Sequence, residues 1–315
     1  MTPGVSKSLT RSGQGMTKSR LGKASRVFLF LATLGCSASV ASDTQFILFA
    51  VRDYTRSGVV YSGAGKNIQT LIEPFAYVLN GKLVKIPDET DGKMFEESFY
   101  SAKKRYTLYT AGRATGYVQV EQSAFEIQCE SLAASARVSP PDSVRGMRMA
   151  LASNASFRDS GLKRRAPTSD ERGMMVELAV HEYEKNKISI PLARKAEVRN
   201  VTVIEGAGAP IMIASFAVGE KSKDQHGDGY DTIHAVFLIA EATVTGKYGT
   251  TYAWFNSGTE SAIQTQDLVD VLAIDGDRTP EIVTEFGYYE SNDYHVYKRS
   301  DGKWVDIYSN FGSGC

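Results

Sequence analysis

Ile274-Asp-Gly-Asp-Arg-Thr-Pro-Glu-Ile-Val-Thr-Glu-Phe286 reads as a strand, a tight acidic turn and a second strand. Seventy residues earlier, Ile204-Glu-Gly-Ala-Gly-Ala-Pro-Ile-Met-Ile-Ala-Ser-Phe216 aligns with it without a gap. Ile204 matches Ile274, Gly206 matches Gly276, Pro210 matches Pro280 and Phe216 matches Phe286. Self-similarity at a fixed spacing points to a repeated strand–turn–strand unit. A propeller-like repeat in the C-terminal half is the expectation it raises.

Outward from that stretch the pattern stays mostly β. Phe46–Val51 is an apolar run of strand length, and Asn80-Gly81 between Phe75–Leu79 and Leu83–Ile86 signals a tight hairpin. Tyr106–Tyr109 and Tyr117–Val120 flank a glycine-containing turn, and Asp301-Gly302 joins two more strands at the C-terminus. In that last hairpin, strict alternation puts Trp304, Asp306 and Tyr308 on one face. One helix is expected, about Ser169 to Lys185. Thr168 and Glu171 have the spacing of a capping box, and Met175, Leu178, Ala179 and Glu182 fall on one stripe with Val176, Val180 and Tyr183 beside it, a wide apolar face. The fold class is therefore α+β, predominantly β, with antiparallel sheets. Ser139-Pro-Pro-Asp142 marks a boundary between an N-terminal β region, 42–139, and a C-terminal region, 140–315.

Residues 1–41 read as a secretory signal peptide. Lys7, Arg11, Lys18, Arg20, Lys23 and Arg26 have no acidic neighbour, Val27–Leu34 is apolar but short, and Ser39-Val-Ala41 is a small-x-small site. A second processing route runs through Thr33-Leu-Gly-Cys36, which is similar to a lipobox and would anchor a lipidated Cys36 to a membrane. Removing the signal takes 6 of the 36 basic residues and none of the 36 acidic ones, leaving 30 − 36 = −6. Such a charge offers no electrostatic case for nucleic acid. Export to the periplasm or beyond implies oxidising conditions, and the two cysteines that remain, Cys129 and Cys315, are expected to form a disulfide.

Sequence motifs for chemistry are broken. Ser62-Gly-Ala-Gly-Lys-Asn67 has Val60 where a phosphate loop needs glycine, and His181-Glu182 has Lys185 where a zinc-protease helix needs its second histidine. Two acidic loops stand out instead: Asp224 with Asp228, and Asp275-Gly-Asp277 with Glu281. Acids at alternate positions of a turn can gather several hard oxygens around one calcium ion, although Asp-Gly pairs also make plain turns. The first loop carries His226 among its ligand positions, and the second has Ala273 at its first.

Asp275-Gly-Asp277 followed by Glu281-Ile-Val resembles the calcium loops of FG-GAP and VCBS-type repeats. That resemblance covers about a tenth of the mature chain. It implies a structural calcium site on Asp275, Asp277 and Glu281, within a propeller or adhesion-type module.

The functional expectation is an exported, non-catalytic binding or structural module, with calcium-braced loops and a protein or glycan as ligand. The alternative is a carbohydrate-active hydrolase using carboxylates among Glu281, Glu285 and Glu290, near Asp293, Tyr288, Tyr289, Trp254 and Trp304. Cleavage after Ala41 makes Ser42 the first residue of the exported protein. Intact-mass measurement checks this, and a chain beginning at a lipidated Cys36 would refute it.

Overall fold

The computed structural model describes residues 46–53, 61–63, 66–68, 70–123, 132–144, 149–206, 208–221, 232–243, 245–277 and 279–314. All lie within one unit, Ser42–Cys315. Residues 1–41, expected to be a signal peptide, the cysteines Cys129 and Cys315, and Asp224 and Asp228 lie outside the described residues.

The first layer is a closed barrel. Its strands are β1 (Phe46–Asp53), β4 (Thr70–Leu79), β6 (Arg105–Thr110), β7 (Arg113–Ser123), β8 (Ala134–Ser139) and β9 (Met149–Ser153). They pair in the order β1-β9-β6-β7-β8-β4, and β4 returns to β1. A small hairpin, β2 (Tyr61–Gly63) with β3 (Lys66–Ile68), precedes β4, and β5 (Lys82–Val84) extends it. The apolar run of β1 has a cause on each side. Ile47, Phe49 and Val51 point into the barrel, while Leu48 and Ala50 point out into a second core. Helix α1 (Gly92–Phe99) was not expected from the sequence. Asp91 caps it by accepting from the Lys93 and Met94 N–H groups, and Phe95 and Phe99 pack on the barrel's interior core.

The next layer in the chain is a sheet of β10 (Lys163–Arg165), β11 (Glu197–Glu205), β12 (Ile211–Glu220), β13 (Thr232–Ala242) and β14 (Tyr248–Gly258), paired in that order. Helix α2 (Ser169–Lys185) carries the expected capping box and buries Met175, Ala179, Val180 and Tyr183 on one face of this sheet. A one-turn helix, α3 (Ile190–Ala193), follows it. The last layer is a meander of β15 (Thr265–Leu272), β16 (Glu281–Gly287), β17 (Ser291–Ser300) and β18 (Lys303–Gly314). This is a predominantly β, antiparallel α+β protein.

The meander is the middle of the molecule. Val269, Leu272, Val283, Tyr294, Val296 and Tyr308 face the barrel, whereas Leu268, Val271, Ile282, Tyr297 and Trp304 face the five-stranded sheet. The two stretches matched in the sequence supply the turn and most of the second strand of the β11–β12 and β15–β16 hairpins. Their sheets stack face to face through a shared core. The aligned glycines differ, because Gly276 has φ +78° and Gly206 stays outside the left-handed region.

One face assignment is corrected. Tyr297 pairs with Asp306 but Val296 pairs with Tyr308, so Ile307 is an extra residue in β18. This bulge reverses the alternation, and Trp304 and Tyr308 enter different cores.

Bulges elsewhere supply the bolts between layers. The β1–β4 register slips at Phe75, whose carbonyl accepts from the Tyr308 hydroxyl (2.6 Å) and from Asn310 Nδ2 (3.0 Å). The slip in β15 falls at Val269, whose carbonyl accepts from Arg164 Nη1 at 3.1 Å. Asp270, fully buried, accepts the Ala111 N–H of the β6–β7 turn (3.0 Å) and sits 3.6 Å from Arg164. Burial pushes the Asp270 carboxyl up to about 6, against the pull of Arg164 and two backbone N–H groups. An acid raised in the folded state adds stability that is fully present below its unfolded value of 3.8 and is lost as pH rises through about 6. Asp270→Asn keeps an acceptor for Ala111 and removes the proton. Denaturant titrations between pH 4 and 7 should show the Asn variant lacking the wild type's decline across that window.

Candidate functional site

Among the described residues, Asp275, Asp277 and Glu281 are brought together, each offering an oxygen within 4.8 Å of the others. Local sequence builds the turn. Gly276 takes its positive φ, the Asp275 side chain accepts the Asp277 N–H, and Asp277 accepts the Thr279 N–H. Glu281, at the start of β16, is buried and accepts the Ile274 N–H at 2.8 Å.

A fourth group completes the cluster, and nothing near it in sequence announces it. Lys298 of β17 places its ammonium on Asp275, 2.7 Å from Asp277 and 3.4 Å from Glu281. Burial works against the Lys298 charge, but the hydrogen bonds to both aspartates outweigh it and raise its pKa. The same hydrogen bond from Lys298 holds Asp277 below its ordinary value, while burial pushes Glu281 up. Three carboxylates against one ammonium leave a formal charge of −3 + 1 = −2. The donor set is all hard oxygen, which suits calcium, but such an ion would have to take the place that Lys298 fills.

The carboxylates considered for hydrolysis do not meet. Glu281 and Glu285 both lie on β16, four residues apart, or roughly 13 Å by strand rise. Glu290 is exposed in the β16–β17 turn. The partner of Glu285 is Arg52 of the barrel, which grips both its oxygens (3.1 Å for the longer bond). Arg52 also lies 3.6 Å from Glu73, which accepts from the Tyr294 hydroxyl and from Asn292 Nδ2. Burial opposes the Arg52 charge, yet Glu285, Tyr294 and Glu73 together raise its pKa. Burial, reinforced by Glu73, keeps the Tyr294 phenol protonated. Sequence reasoning missed Arg52 and Glu73 because they lie more than 200 residues from their partners in the chain, 233 for Arg52–Glu285 and 221 for Glu73–Tyr294.

The aromatic residues divide. Trp304 is buried in the core between the sheets, and Tyr289 is exposed. Trp254 packs edge-on against Phe286 at 5.0 Å, and Phe286 lies 4.3 Å from the His295 ring. His295 Nδ1 is 2.6 Å from Asp306, and the Tyr288 hydroxyl donates to Asp293 at 2.8 Å. His181 is a surface side chain near Glu184.

Comparison with protein-family models, curated proteins and solved structures finds no match to this chain. Its function has to be read from these groups themselves. No helix among the described residues is long and apolar enough to cross a membrane.

Lys298→Met would leave three carboxylates facing one another. Because the aspartates are partly exposed, the expected loss is about 1–2 kcal/mol at low salt, shrinking as salt screens the repulsion. Urea denaturation of both proteins at low and high ionic strength measures it.

Proposed function

We propose that this chain is an exported, non-catalytic binding module, with the Asp275–Glu281 turn braced by a cation. The observation that carries the reading is the occupation of the acids. Glu285 is locked by Arg52, and Glu281 is spent on the Ile274 N–H and Lys298, so these carboxylates hold layers and turns in place. A general acid needs a proton it can exchange with substrate, and an acid clamped by a guanidinium is poorly suited to that task. Export rests on the basic, apolar and small-residue order of residues 1–41.

Lys298 serves as the resident brace. Calcium binds the same three acids when the ammonium swings aside, and its gain is reduced by the bonds it breaks. Extracellular sites of this kind hold calcium at about 10⁻⁴–10⁻³ M, and ~10 mM calcium then adds roughly 1.4–2.7 kcal/mol where no competing group is present. Thermal melts in chelator and in calcium should show a rise of several degrees for Lys298→Met and a smaller rise for the wild type. Asp277→Ala in the Lys298→Met background should abolish the rise. Melting temperatures that do not change on adding calcium, in the wild type and in Lys298→Met alike, would leave the loop a turn held by lysine alone.

A further inference from the structure

The middle sheet is not covered across its whole width. Its face toward the five-stranded sheet carries Ile282 and Tyr297 in one cross-strand row, Thr284, His295 and Ser309 in the next, and Phe286, Asp293 and Phe311 in the last. Ile282 and Tyr297 of the first row are buried against β13 and β14, while Asp306, which pairs with Tyr297 in β18, is not. The cover ends toward the β18 edge: Ile282, Thr284 and Phe286 of β16 are buried, Asp293 and His295 of β17 and Ser309 of β18 are half-buried, Asp306 is exposed, and Phe311 is 54% exposed. The edge strand β14 contributes Trp254, which is half-buried beside Phe286. From the Asp306 row to the Phe311 row the strip is roughly 13 Å long by strand rise.

We infer that this open strip, formed by Trp254, His295, Asp306, Tyr288, Asp293 and Phe311, is a binding platform for a neutral oligosaccharide. It rests on the reading of the chain as a non-catalytic binding module and supplies that module's ligand class. Three observations converge on it. Aromatic rings are presented at an edge where one side is packed and the other wet, which suits the apolar face of a sugar ring. The polar groups are fixed before any ligand arrives, with His295 held by Asp306 and Tyr288 held by Asp293. Side chains so held lose little freedom on binding. The charges select the ligand. Two carboxylates accept hydroxyl hydrogens readily and repel phosphate, sulfate or uronate, so the strip complements a neutral polyol.

His295 Nδ1 faces Asp306, and its ring plane is set by Phe286 on one side and Tyr297 at 6.4 Å. Its role is to orient a hydrogen bond, and it is named as a binding residue only. The Phe311 ring lies close to Gly314, where an added Cβ would fall 2.9 Å from the ring and 2.7 Å from the Ser291 Cβ.

The mature protein should be titrated with neutral hexasaccharides of glucose, galactose, mannose, xylose and N-acetylglucosamine. Calorimetry and tryptophan emission give the readout, and chromatography of each mixture detects cleavage. At least one class should bind with a Kd of about 1 mM or tighter, changing the emission of Trp254. Phe311→Ala, exposed enough to leave folding intact, and Trp254→Ala should each weaken binding about tenfold or more. Asp306→Asn should weaken it less, and Met94→Ala on the exposed side of α1 should leave it unchanged. No binding by any class at ~10 mM, with the oligosaccharides recovered intact, overturns the platform and leaves the non-catalytic reading standing. Unchanged affinity in both aromatic variants also overturns the platform. Shortened oligosaccharides would overturn the non-catalytic reading instead.

Discussion

A four-stranded sheet buried on both faces is the constraint on which the rest depends. A two-sided sheet has no solvent face for its polar residues, and each of its edges is a row of backbone groups that needs a partner. The barrel covers one face and the five-stranded sheet covers most of the other. Strand β15 is an edge in the pairing order, yet nearly all of it is buried, because Arg164 reaches across to it and Asp270 is tied to the barrel turn. The layers are therefore not independent units resting on one another.

The ties between layers use backbone groups that the sheets themselves leave unpaired. A bulge frees one carbonyl or N–H from its ladder, and a buried orphan is costly. Phe75 and Val269 are such positions, and in both cases side chains of a neighbouring layer donate to the freed carbonyl. Bulges here both bend the strands and mark where one layer docks on the next.

Charge follows the same logic. The acids of the middle sheet are paired with cations that other elements bring: Glu285 with Arg52, Asp267 with Arg199, Asp270 with Arg164. Buried pairs of this kind contribute little net stability against an apolar core, but a misplaced layer would strand an uncompensated charge. They fix which faces meet. The acidic turn differs, since it is partly exposed and carries more negative charge than Lys298 neutralises. That excess, and the open polar strip along the β18 side of the sheet, distinguish the two places where a ligand would find something to bind.

Local signals decided what could be read from the sequence alone. Positive-φ turns at Asn80-Gly81 and Asp301-Gly302, the capping box of α2, and the apolar runs of β1, β12 and β13 each depend on residues within a few positions of one another. So did the gathering of Asp275, Asp277 and Glu281, which one tight turn accomplishes. Helix α1 escaped because its apolar residues are few and its stability comes from Phe95 and Phe99 inside the barrel. The face of Tyr308 escaped because a bulge shifts parity without leaving a local mark. Arg52, Glu73, Lys298 and the Trp254–His295 strip were decided only by tertiary structure. Their partners lie on other strands, and the free energy that brings them together comes from burying both faces of the middle sheet, which no short window of sequence contains.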